Sequence, residues 1–65
     1  GLGLFDLQHA AAAILAGGMP GDISRILAST KGDARVVALS HYYVLIRAGE
    51  RPELAVNQAL RYSDM

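Results

Sequence analysis

The chain has no cysteine and no tryptophan, only 2 prolines, and no excess of either charge over its 65 residues. Each shortage removes a class of protein. Without cysteine there is no disulfide framework and no thiolate metal site, the usual staples of very small domains. The two histidines, His9 and His41, lie far apart. A structural zinc site calls for four ligands, so no metal or other cofactor is expected. Lys plus Arg and Asp plus Glu both number 6, and the basic excess that accompanies most nucleic-acid binding is missing. The longest largely apolar run, Val36 to Ile46, includes Ser40 and His41. It falls well short of the roughly 20 residues that a membrane-spanning helix needs. The opening from Gly1 to Asp6 lacks the lysine-rich polar face of membrane-surface helices, and the first basic residue is Arg25. No secretory signal is visible, and the lack of cysteine fits a cytoplasmic location. The start at Gly1 reads as an excised domain, a processed product or a tag remnant.

What is present is helical. Two glycine-containing breaks and one Gly/Pro break divide the chain into four segments. The first runs from about Leu4 to Ala16. It contains the alanine run Ala10 to Ala13, with the best helix propensity available. Leu4, Leu7, Ala11, Ile14 and Leu15 recur at helical spacing and predict one inward stripe. Gly17-Gly18 is a C-terminal stop. Pro20 suits a first helical turn and Asp22 a cap, so a short second helix follows through Ile23, Ile26 and Leu27. Asp33 can cap a third helix reaching about Ala48, with Gly49 just beyond its end. A fourth starts at Pro52 and reaches about Tyr62, with Leu54 or Ala55, Val56, Ala59 and Leu60 as its stripe. The connections are short, which favours packing of neighbours. The predicted fold is a single all-α domain, a compact bundle of four short helices with the third central.

The charges fit this map. Asp22, Asp33 and Glu53 sit at helix starts, and Lys31, Arg47 and Arg61 at or near helix ends, as the helix macrodipole favours. The third helix departs from the ordinary pattern. Val36, Val37, Leu39, Tyr42, Tyr43, Val44, Leu45 and Ile46 point in nearly every direction around its axis. A helix apolar all round requires cover all round, and the central position supplies much of it. The rest is expected to come from a partner. A domain this small buries only about 60% of its unfolded surface, while 52% of its residues are apolar. Tyr42, Tyr43, Arg47 and Tyr62 are the candidate partner-contact residues, because tyrosine and arginine are enriched in interfaces. Phe5 and Met19, near an end and a loop, come second.

Catalytic and ligand motifs are weak. Ser40 and His41 are adjacent, but helical neighbours diverge by about 100° and no Gly-x-Ser-x-Gly elbow surrounds the serine. The glycine-rich segment Gly17 to Asp22 lacks the lysine and hydroxyl residue of a phosphate-binding loop. The expectation is therefore a non-catalytic protein-interaction or oligomerisation module, accessory or regulatory in role, whose partner is by default a second copy in a dimer. The alternative is a small helix-turn-helix-like DNA-binding regulator. Ala28 and Gly32 have the spacing of that motif's small residue and turn glycine, and Arg25, Lys31 and Arg35 would meet phosphates. Against it, the reading helix would carry Val36, Val37, Ala38 and Leu39, which are poor at reading base edges.

Overall fold

A computed structural model describes the backbone of residues 4–63 and the side chains of residues 6–63. The chain is all-α: α1 spans Leu4–Leu15, α2 Pro20–Ser29, α3 Asp33–Arg47 and α4 Pro52–Ser63. Among the described residues there is no strand, and no helix is long and apolar enough to cross a membrane. These bounds fall within a residue or two of those read from the sequence.

Local chemistry explains the helix ends. Both α1 and α3 close in a Schellman arrangement. At the end of α3, Gly49 N–H donates to the Ile46 carbonyl and Glu50 N–H to the Leu45 carbonyl, each at 3.0 Å. Gly49 adopts φ +95°, a conformation that a side chain would oppose. Gly17 and Gly18 close α1 in the same way. Pro20 stands at the start of α2, where its missing N–H costs nothing. Two caps differ from expectation. The residue before α3 is Gly32, at φ +61°, so Asp33 is the first helical residue and not the cap. Asp22 does not cap α2 either: the cap position is Met19, and Asp22 lies inside the first turn, where its carboxylate accepts from a tyrosine of α3.

The helices alternate in direction. Asp6 meets Arg35 near the starts of α1 and α3, while Gly17 and Gly18 meet Ile46 and Tyr42 towards their ends. α1 and α3 therefore run the same way. α4 returns antiparallel along α3, with Tyr62 against His41. α2 runs back between the two ends and packs on α3 and α4. The most extensive packing is of α3 with α4 and with α1, so the third helix is central.

The core is built from Ile23 and Ile26 of α2, Ala38, Leu39, Tyr42 and Ile46 of α3, and Ala55, Val56 and Ala59 of α4, with Ala13 of α1. Of the two residues proposed to open the α4 stripe, Ala55 is buried and Leu54 is exposed. On α1 the expected stripe is overturned. Leu7, Ala11, Ile14 and Leu15 face outward, Leu15 with 88% of its surface exposed. Ala10, Ala13 and Ala16 face inward. The physical reason is space: the Tyr42 ring and Ile46 reach the end of α1, and only small side chains fit between helices that approach this closely. Leu4 and Phe5 lie outside the described side chains.

Gly18 marks the tightest point. A Cβ there would sit 2.8 Å from the Ala13 carbonyl oxygen and 2.9 Å from Cε2 of Tyr42. Gly21, in the first turn of α2, has nothing within 4 Å. Gly18→Ala should therefore destabilise the fold by about 1–3 kcal/mol through overpacking, lowering the thermal midpoint by roughly 4–8 °C per kcal/mol. Gly21→Ala should be neutral or slightly stabilising. Thermal melts of both variants by circular dichroism check the contrast.

Candidate functional site

Buried polar chemistry centres on Tyr42. Its side chain is fully buried. The hydroxyl accepts the N–H of Met19 at 3.0 Å and donates to Oδ2 of Asp22 at 2.9 Å. Burial pushes the phenol above its ordinary value of 10.0; the Met19 N–H acts in the opposite direction, and the Asp22 carboxylate adds to the rise. A phenol with both hydrogen bonds made inside the protein is a structural joint. Tyr42 therefore leaves the set of partner-contact residues, since it presents no surface to a partner.

Arg35 is also corrected. Its Nη2 donates to the carbonyls of Leu27 at 2.9 Å and Thr30 at 2.8 Å, and its Nε to Thr30 at 3.2 Å. Its Nη1 lies 4.0 Å from Oδ2 of Asp6. The terminal carbonyls of a helix have no intrahelical donor, and α2 has no basic residue in its last turn. Arg35 supplies that cap from the next helix, so it is not free to meet a phosphate. Arg25 and Lys31 are exposed, and the basic cluster proposed for DNA is reduced to those two.

The remaining candidates border the outer face of α3. Val37 is 40% exposed and Val44 58% exposed, with half-buried Ser40 between them. The central helix is thus covered on one side and bare on the other. A shallow groove on the α1 side is lined by Gln8, His9, Ala12, Ser40, Tyr43 and Val44. Another on the α4 side is lined by Val36, Val37, Ser40, His41, Val44 and Tyr62. Ser40 and Val44 belong to both, so the surface is continuous across α3.

Tyr43 bounds this surface on the α1 side. Nη1 of Arg47 donates to its hydroxyl at 3.1 Å, and the guanidinium carbon lies 5.7 Å from its ring centroid. On the α4 side Tyr62 is exposed and stacks on His41, with ring centroids 4.7 Å apart and planes 4° from parallel. Ser40 and His41 thus serve different neighbours, the serine lining both grooves and the histidine backing a tyrosine. Met19 is exposed at the opposite end, in a hollow with Asp22, Arg51, Pro52 and Glu53. Sequence reasoning named the tyrosines but not Val37, Ser40 and Val44 as one surface. Their spacing of three and four residues along a helix was the signal available.

Compared with known protein families, with curated proteins and with solved structures, the chain finds no match.

The Tyr42 joint has a measurable pH signature. A phenol whose pKa is raised by folding holds its proton more tightly in the folded state. Its contribution is fully present below the unfolded value near pH 10 and is lost as the pH rises through the higher folded value. Tyr42→Phe should cost about 1–2 kcal/mol at neutral pH through the lost hydrogen bonds. It should also make the loss of stability above about pH 10 shallower than in the parent chain. Urea titrations at pH 7 and at several alkaline values check both effects.

Proposed function

We propose that the domain is a non-catalytic protein-interaction module that docks through the outer face of α3. The observation that carries this reading is the exposure of Val37 and Val44 on the helix that otherwise organises the core. The face is apolar at its centre and edged by Tyr43, Arg47 and Tyr62. Interfaces are enriched in the same residue types, tyrosine and arginine beside apolar side chains. Contiguous exposed apolar surface with a polar rim marks interaction sites in small proteins. The bare stripe of α1 is also apolar but is purely aliphatic along Leu7, Ala11, Ile14 and Leu15, with no aromatic and arginine border among the described residues. The partner is a protein rather than a nucleic acid, because the chain has no net charge and Arg35 is committed to capping α2.

The reading predicts where cross-links form. A benzophenone amino acid in place of Val44, introduced in the native cell and irradiated, should yield an adduct of discrete protein mass. The same group in place of Ser24, exposed on α2, should not. Val37→Asp should abolish the Val44 adduct while leaving the helical circular dichroism of the domain unchanged, as expected of an exposed position. Absence of an adduct at position 44, or equal labelling from position 24, would sink the proposal.

A further inference from the structure

We infer that the occupant of the α3 face is a second copy of this chain, with the two α3 helices packed antiparallel about a two-fold axis at Ser40. This rests on the interaction reading above and names its partner. The observation is an order of residues that is self-complementary only in that orientation. Asp33, Val37, Ser40, Val44 and Arg47 follow one another at spacings of four, three, four and three. That is the seam of a paired helix, since alternating steps of three and four keep residues on one face. Asp33, Val37, Val44 and Arg47 are exposed, so the seam is unoccupied within the chain.

Ser40 lies midway between Asp33 and Arg47. Rotation by 180° about an axis at Ser40 brings Asp33 of one copy opposite Arg47 of the other, twice. The same rotation brings Val37 to within one residue of Val44, an offset of about 1.5 Å along the helix, also twice. Ser40 meets its own symmetry mate, and its small side chain allows the backbones to approach. A parallel pair would instead set Asp33 against Asp33 and Arg47 against Arg47, which is repulsive at both ends. Antiparallel pairing also places the positive start of each helix beside the negative end of its partner. The guanidinium of Arg47 spends one donor on Tyr43. An arginine carries five N–H donors, so a partner carboxylate can be bound without giving up that contact. The contact is isologous, which makes it closed at two copies.

Because the chain has no cysteine, every thiol in the test is one placed there. Under mild oxidation Ser40→Cys should form a disulfide-linked dimer. Chains carrying Val37→Cys should link to chains carrying Val44→Cys when mixed, and neither should link to itself. Ala28→Cys, exposed on α2, should stay monomeric as the control. The unmodified chain should sediment at twice its mass of 6.9 kDa. Asp33→Arg should weaken the dimer by about tenfold, the scale of losing exposed ion pairs and gaining repulsion. Adding Arg47→Asp to it should restore most of the affinity, with circular dichroism confirming retained helicity in each variant. Self-linking of Val37→Cys and of Val44→Cys, without the mixed product, would overturn the antiparallel geometry. A chain that sediments as a monomer at millimolar concentration, with Ser40→Cys unlinked, would overturn self-pairing altogether. The position-44 adduct of the previous section would then carry the mass of a different protein if the interaction reading holds, and would be missing if that reading also fails.

Discussion

The hydroxyl of Tyr42 is the point on which the arrangement of the four helices turns. It links three pieces of chain: the third helix that bears it, the Met19 amide at the turn after the first helix, and the Asp22 carboxylate in the first turn of the second. Among the described residues no other side chain that bears a polar group is fully buried. The ring must come through the space beside residue 18, which is why that residue has no side chain. Once the ring is seated there, α1 can lie against α3 only through small side chains, and α2 is held at the angle from which Ile23 and Ile26 reach the core. A phenol in this position combines a large apolar body with a polar tip that must find partners. It therefore fixes orientation as well as adding packing.

How much of this was legible in the sequence follows from the range of the interactions involved. The helix ends were legible because glycine and proline act locally: Gly17, Pro20, Gly49 and Pro52 stand where the structure begins or ends its helices. The centrality of α3 was legible from its apolar composition. The inward face of α1 was not. Periodicity identifies a stripe but not the depth of the space it must enter, and the stripe containing Leu7 and Leu15 is too bulky for a seam already occupied by Tyr42. Nor could the pair Tyr42 and Tyr43 be told apart from their neighbours in sequence, since the hydroxyl partners of Tyr42 lie 20 and 23 residues away. Arg35 misled for a related reason. A cation one turn into a helix looks available until the carbonyls of the preceding helix are placed beside it.

The candidate surface reflects a shortage of covering elements in a small chain. Three helices are too few to enclose a fourth, and α2 backs the side of α3 that carries Tyr42, leaving the opposite side bare. The side chains on that bare side are modest in size: two valines and a serine along the middle, with the aromatic groups set to the flanks. A smooth ridge of this kind suits the close approach of another helix. The charges at its two ends are of opposite sign, so orientation is encoded by the ends and contact area by the middle. With no disulfide to limit the unfolded chain, association through such a ridge would add to the stability of the fold itself.

The alanine seam between α1 and α3 sets how the domain opens. A helix that buries methyl groups contributes far less to the core than one that buries isoleucine and tyrosine, because the gain follows the apolar area covered. The described inward side chains of α1 include Ala10, Ala13 and Ala16, while Leu7, Ile14 and above all Leu15 are exposed already in the folded chain. Among the described residues, detaching α1 thus uncovers mainly methyl groups on its own side, and stability need not be uniform across a native structure. If α1 opened apart from the rest, amide exchange along it would outpace that of α3, and the close approach of Gly18 to Tyr42 would be the latch between the two parts.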